Sequence, residues 1–253
     1  MNRKKGSKKK TDYSFYKMSA SEMLISSLAG FAGGTAVFYI FFGKGVPSAV
    51  FGLIAVIFAL GKGNKFFKDR RNRKLLTEFK DFLEIFTASL SSGKNAVFAL
   101  GETLTDLEAQ YGEKSLMAGE LKNILNEVNN GCIPEEAISD FSERSGMQDI
   151  KNFAETFRLC RMSGGNLKEA VYCTYSVLAE KMRIQGEIET IVSKGKNEMT
   201  VMTFLPLAVL PVMKMMGETG NSSGFAVTAV KIIGAVIIAA AYFIGKKISD
   251  IKI

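Results

Sequence analysis

The chain has 253 residues, is 47% hydrophobic, and carries 33 Lys or Arg against 25 Asp or Glu, a formal charge of +8. It has no histidine, and its three cysteines, Cys132, Cys160 and Cys173, lack C-x-x-C spacing, which excludes Ser-His-Asp, Cys-His and H-E-x-x-H chemistry and gives no basis for a zinc or disulfide framework. A G-x-x-x-x-G-K-[ST] phosphate loop is also absent, since GKGN at Gly61 and SKGK at Ser193 lack its spacing and hydroxyl, so no catalytic residue, metal or cofactor is expected.

Residues 1–22 form a basic segment with seven Lys or Arg. Its RKKGSKKK opening before an apolar run has the form of a secretory signal peptide, which raises cleavage as an alternative. The run is too long for a signal core, lacks an A-x-A site, and is followed after a Lys44 to Pro47 turn by another apolar stretch. A retained anchor is therefore expected, with residues 23–61 as a transmembrane hairpin: Met23 to Phe42 is uncharged over 20 residues, and Gly45 to Gly61 is uncharged between Lys44 and Lys62. Apolar runs of about 20 residues suit a hydrocarbon core of roughly 30 Å.

Residues 62–74 again carry seven Lys or Arg, and 75–197 form a central region discussed below. Residues 198–245 are expected to make a second hairpin, with Met199 to Gly217 interrupted only by Lys214 and Phe225 to Gly245 only by Lys231. Pro206 and Pro211 predict kinks in the first of these spans. Gly234, with Ala235, Ala239 and Ala240, predicts close helix packing in the second, although such residues are also ordinary in membrane helices. The tail, 246–253, has three Lys. Basic residues thus crowd the termini and the middle, while the two short outer loops hold only Lys44. That is the positive-inside pattern, and it predicts a multi-pass protein of the cytoplasmic membrane with both termini in the cytoplasm. The basic clusters are also expected to attract anionic lipid headgroups at about 1 kcal/mol per residue.

The central region from Leu75 to Asn197 has 13 basic and 19 acidic residues, a net of −6, and so is not expected to bind nucleic acid. Phe79, Phe82, Leu83, Phe86 and Leu90 recur at helical spacing, Pro134 is the only proline, and period-two alternation is missing. An all-α bundle of about six helices follows. Within it a glycine is followed at the sixth and seventh positions by alanine and an aliphatic residue three times, in GKNAVFAL, GCIPEEAI and GGNLKEAV, starting at Gly93, Gly131 and Gly164. Each copy reads as a helix end, a turn and a new helix, because glycine permits the left-handed cap. Asn166 is the expected N-cap of the third new helix with Glu169 at N3, while Pro134 takes N1 and Glu136 N3 of the second. Ala99, Ala137 and Ala170 then fall in first turns. Gly165 beside Gly164 makes the third turn the most permissive, and a left-handed requirement there predicts a cost on the order of 1 kcal/mol for Gly165→Val. These turns have two readings, as purely structural corners or as a partner-contacting surface.

With LSSGKNAVFAL, NNGCIPEEAISDFSERSG and FRLCRMSGGNLKEAV between two pairs of apolar runs, the stretch from about Phe79 to Met216 resembles the type II secretion system F domain, closest to the TadB/TadC platform proteins. Spans one and two match in position rather than in sequence. The resemblance implies a single F domain and an inner-membrane platform of a Tad or Flp pilus, homo- or hetero-oligomeric. Implied partners are a separate TadA-like secretion ATPase, a TadB/TadC paralogue and pilin subunits. It implies no catalytic residues. A rival reading, a transporter or channel component, rests on Lys214 and Lys231, since ionisable residues within spans are costly and often functional. Both lie toward the outer ends of their spans, where a long stem can reach the headgroups.

Overall fold

The computed structural model describes residues 13, 20–42, 45–112 and 114–215. Among them the chain is all-helical, with α1 Ala20–Phe42, α2 Gly45–Ser91, α3 Ala96–Tyr111, α4 Leu116–Asn129, α5 Pro134–Ser145, α6 Gln148–Ser163 and α7 Leu167–Met215. One of these, α2, is longer than the sequence divisions suggest. α2 passes through 47 residues without a break, so Pro47, expected in a turn, is its third residue, where the absent N–H costs nothing. α7 continues for 49 residues and takes in Pro206 and Pro211.

The chain divides into two compact units. One comprises Met18–Asn64 and Ile184–Ile253. Its described side chains are largely apolar and exposed, with Leu24 69%, Leu28 73%, Ile57 72% and Met202 75% accessible. Its hydroxyls turn inward on their own helix: Ser27 Oγ donates to the Leu24 carbonyl at 2.9 Å and Thr35 Oγ1 to the Phe31 carbonyl at 2.7 Å. Among the described residues no helix is long and apolar enough to cross a membrane. The last residues of the third predicted span and all of the fourth, with Lys231 and Gly234, lie outside the described residues, as do the side chains of 37–42, of 45–52 and of 206–215.

The other unit, Met1–Lys17 with Lys65–Arg183, contains the bundle. α3 packs on α4, α4 on α5 and α5 on α6, the arrangement short connections impose on successive antiparallel helices. The end of α2 supplies the apolar face read from sequence: Phe79, Phe82, Leu83 and Phe86 are buried and Leu90 packs against them. α6 answers with Phe153 and Phe157. Phe153 meets Phe79 edge-on at 5.5 Å and Phe82 at 5.9 Å, while Phe82 stacks on Phe86 at 5.5 Å, geometries that the ring quadrupole favours.

Two buried carboxylates join helices at the opposite end from the repeated glycine turns. Glu78 of α2, 1% exposed, accepts from Ser115 Oγ at 3.0 Å and from the Met117 N–H at 2.9 Å, so it caps α4 from outside while Ser115 caps it from within. Among the described residues its other oxygen has only the Lys74 ammonium, 3.7 Å away. Glu120 of α4 accepts from Arg144 Nη2 at 2.8 Å and from the Tyr13 hydroxyl at 3.1 Å, and Arg144 also holds Asp140 at 2.9 Å. Tyr13 comes from the N-terminal segment and is 2% exposed. Its N–H donates to the Arg144 carbonyl at 3.0 Å and its carbonyl accepts from Arg71 at 3.1 Å, with the guanidinium 4.9 Å above its ring.

Burial, then the Glu120 charge and hydrogen bond, push the Tyr13 phenol well above its ordinary pKa. The Tyr111 phenol, bonded to Asp81, is pushed up to about 12, first by that bond and then by burial. Both groups are protonated in the fold with folded pKa values above the unfolded value near 10, so the stability they supply is complete below about pH 10 and is lost as pH rises through 10 toward 12. The melting temperature of the purified chain is therefore expected to fall across this window, less steeply in Tyr111→Phe. Identical alkaline slopes for the two proteins would refute the assignment.

Candidate functional site

The three repeated glycines adopt positive φ: 77° at Gly93, 95° at Gly131 and 66° at Gly164. Each closes a helix. At Gly131 and Gly164 the closure is a Schellman pair, in which the next residue's N–H reaches back to the helix, Cys132 to the Glu127 carbonyl at 3.0 Å and Gly165 to the Cys160 carbonyl at 2.9 Å. The new helices then start on caps. Asn95 accepts from the Phe98 N–H at 2.9 Å. Asn166 accepts from the Glu169 N–H at 3.4 Å and donates to the Glu169 carboxylate at 3.4 Å. In the second copy Pro134 opens α5 with Glu135 and Glu136 in its first turn, where carboxylates suit the positive end of the helix dipole. Ala99 and Ala137 are buried and Ala170 is half-buried.

Gly164, not Gly165, takes the left-handed backbone. The correction has a simple cause: the left-handed residue is the one just before the N–H that reaches back to the helix, and here that N–H belongs to Gly165. Gly165 is constrained by space instead, because an added Cβ would lie 3.3 Å from Cys160 Sγ and from Ser163 Oγ. Gly164→Val is expected to cost about 1 to 2 kcal/mol by the left-handed penalty alone, and Gly165→Ala less, since two side-chain ends can shift. Urea unfolding of both variants checks the order. A larger loss at Gly165 would overturn it.

The structure brings the first and third turns together. They wall one groove of about 390 Å³ that includes Gly93, Lys94, Cys160, Gly164, Asn166 and Lys168. The second turn is not in its walls, but the helix it starts is tied to the same end, because Arg161 near the end of α6 pairs with Glu135 at 2.8 Å. Burial raises the Glu135 carboxyl, yet the Arg161 hydrogen bond and charge outweigh it and hold the group below its ordinary pKa. Lys94 reaches Glu102 at 2.6 Å and lies 5.6 Å from the Phe98 ring centroid. Its hydrogen bond, followed by that of Ser89, holds the Glu102 carboxyl low. Four apolar side chains close in sequence to these turns are exposed, Phe98 at 62%, Ile133 at 53%, Leu159 at 56% and Met162 at 75%, and of these Phe98 stands beside Lys94.

Pro206, Pro211 and Lys214 lie in α7 with side chains outside the described residues, and Lys231 and Gly234 lie outside them altogether. Sequence reasoning missed the exposed apolar set, for which the signal was present: Phe98 and Met162 flank two of the glycine turns. It also missed Tyr13, which no periodicity marks. Among the described residues no group of His, Cys, Asp or Glu could hold a metal ion. Compared with family models, with curated proteins and with solved structures, the chain matches none.

Proposed function

We propose that this chain is a membrane-embedded platform of a Tad/Flp-type pilus or type II secretion-like machine, without chemistry of its own, that couples a separate cytoplasmic ATPase to pilin assembly. The observation that carries the reading is the end of the bundle where the glycine turns meet. Four exposed apolar side chains close in sequence to the glycine turns, together with the ion pairs Lys94–Glu102 and Arg161–Glu135, give this end the mixed apolar and polar composition of a protein-binding patch. α7 leads from this surface to the apolar part of the sequence as one helix, which suits a relay of tilt or rotation.

The membrane placement draws on the 20 uncharged residues from Met23, on the asymmetry of the basic residues, and on the exposed Leu24, Leu28 and Ile57. Each such side chain left in water forgoes roughly 1.5 to 3 kcal/mol of burial, a cost that lipid removes. Reporter fusions at Gly63 and Lys247 are expected to be active only as cytoplasmic reporters. Periplasmic activity at either would end this topology.

For the platform role, the detergent-solubilised chain is expected to co-purify with a secretion ATPase and pilin from the same cells, and Phe98→Glu with Met162→Glu to abolish ATPase capture at unchanged melting temperature. Normal filaments in a deletion strain that has no paralogue would remove the reading.

A further inference from the structure

The groove between the first and third glycine turns differs in charge from the region that forms it. Residues 75–197 are acidic overall, with 13 Lys or Arg against 19 Asp or Glu. The walls of the groove carry Lys94, Arg161 and Lys168 and, among the described residues, no carboxylate. Two of these cations are fixed by carboxylates outside the walls: Lys94 lies 2.6 Å from Glu102, and Arg161 Nε donates to Glu135 at 2.8 Å. Among the described residues the guanidinium spends only Nε in this way and keeps both terminal nitrogens without a protein partner. Lys168 is exposed and has no partner among the described residues. The space over the two turns is open, since a Cβ added at Gly93 or at Gly164 would meet nothing within 4 Å.

We infer that this groove docks a short acidic segment of the partner protein, whose carboxylates are received by Arg161, Lys94 and Lys168. Resting on the platform reading above for the identity of the partner, the site adds the chemistry that recognises it. A planar guanidinium with two unspent terminal nitrogens presents paired donors that match the two oxygens of a carboxylate. Because Glu135 and Glu102 already hold Arg161 and Lys94, little ordering cost is left for binding. Lys168 is the cation free to close on the segment. Phe98, 62% exposed with its ring 5.6 Å from the Lys94 ammonium, offers an apolar contact next to the charges. The surroundings limit the length of the occupant. A long polyanion such as a nucleic acid would run from the groove onto Glu102, Glu135 and a region of net charge −6 (13 minus 19), so only a short acidic stretch gains the attraction without the repulsion. The groove volume of about 390 Å³ is at the small end of ligand-sized clefts, room for a few side chains.

The test uses Cys160, a wall residue, as the reporter, and Cys173, exposed and outside the walls, as the reference. The detergent-solubilised full chain is alkylated with iodoacetamide, digested and read by tandem mass spectrometry, which resolves the two cysteines. The probe is the peptide acetyl-DEFDE-amide, with acetyl-NQFNQ-amide as its uncharged counterpart. At about 1 mM the acidic peptide is expected to slow alkylation of Cys160 relative to Cys173 by about twofold or more, as half-occupancy at a millimolar dissociation constant requires. The uncharged peptide is expected to leave the ratio unchanged. Lys168→Glu, a surface change that breaks no ion pair among the described residues, is expected to abolish the protection at an unchanged melting temperature. Arg161→Gln is expected to weaken it as well, but that change also frees Glu135, so Lys168→Glu is the cleaner variant. No protection of the wild type, equal protection by the uncharged peptide, or protection that survives Lys168→Glu overturns the acidic-segment site. Equal protection by inorganic phosphate at the same concentration overturns the peptide as its occupant. Capture of the secretion ATPase is a separate arm. Its absence from the wild-type chain sinks the platform reading whatever the peptide does, whereas capture that persists in Lys168→Glu places the ATPase on another surface and overturns the inference.

Discussion

Arg144→Met is expected to lower the unfolding free energy by about 3 kcal/mol or more, toward the lower end of the 3 to 5 kcal/mol found when one partner of a buried ion pair is removed. The Glu120 side chain is 3% exposed and that of Arg144 14%, at 2.8 Å. Removing the cation leaves the carboxylate, among the described residues, with the Tyr13 hydroxyl as its remaining donor, which cannot offset the desolvation of a charge. The lower end applies because Arg144 keeps some access to solvent. Replacing both partners by apolar residues, Glu120→Leu with Arg144→Met, is expected to recover most of the loss, since the pair stabilises little relative to good apolar packing. Urea unfolding of the purified full chain measures all three proteins. A single-variant loss under about 1 kcal/mol would mean that the site admits water, and the pair should then be treated as a surface salt bridge.

The helical bundle was legible in the sequence because its signals are local. Phe79, Phe82, Leu83 and Phe86 declare one face of a helix by spacing, and they are the buried face. Gly93, Gly131 and Gly164 mark corners because only glycine adopts φ near 66° to 95° without strain. The partners of those corners were not legible. Which of two adjacent glycines turns left depends on where the last helical hydrogen bond falls, and Gly165 looks as permissive as Gly164 until that register is known. Long-range polar partners were harder still. Tyr13 and Glu120 are 107 residues apart, Glu78 and Ser115 are 37 apart, and nothing in either neighbourhood distinguishes a carboxylate that will be buried from one on a solvated helix face. The division at 61 and 62 was drawn from charge, whereas the backbone of α2 has no boundary there, because Lys and Arg are good helix formers and a change of solvent preference does not interrupt a hydrogen-bonded ladder.

Phe153→Ala is expected to cost about 3 to 5 kcal/mol, the range for removing a buried aromatic side chain from a core. Phe153 of α6 is 2% exposed and stands against Phe79, Phe82 and Phe157 at centroid distances between 5.5 and 5.9 Å. Truncation removes its transfer free energy and three ring contacts together, and those neighbours are themselves held by stacking of Phe82 on Phe79 and Phe86, so they cannot readily collapse into the space. Phe153→Leu keeps most of the volume and is expected to lose much less. Phe98→Ala provides the control: the same chemistry is deleted from a side chain that is 62% exposed, so stability should change by no more than about 0.5 kcal/mol. Urea denaturation with the slope fitted separately for each protein distinguishes cavity formation, which moves the midpoint alone, from a change in the unfolded state, which alters the slope. Equal losses for Phe153→Ala and Phe98→Ala would contradict both the placement of the core and the assignment of Phe98 to a binding surface. A large loss at Phe153 with an unaltered Phe98 variant would leave Phe98 available for the partner contact proposed above.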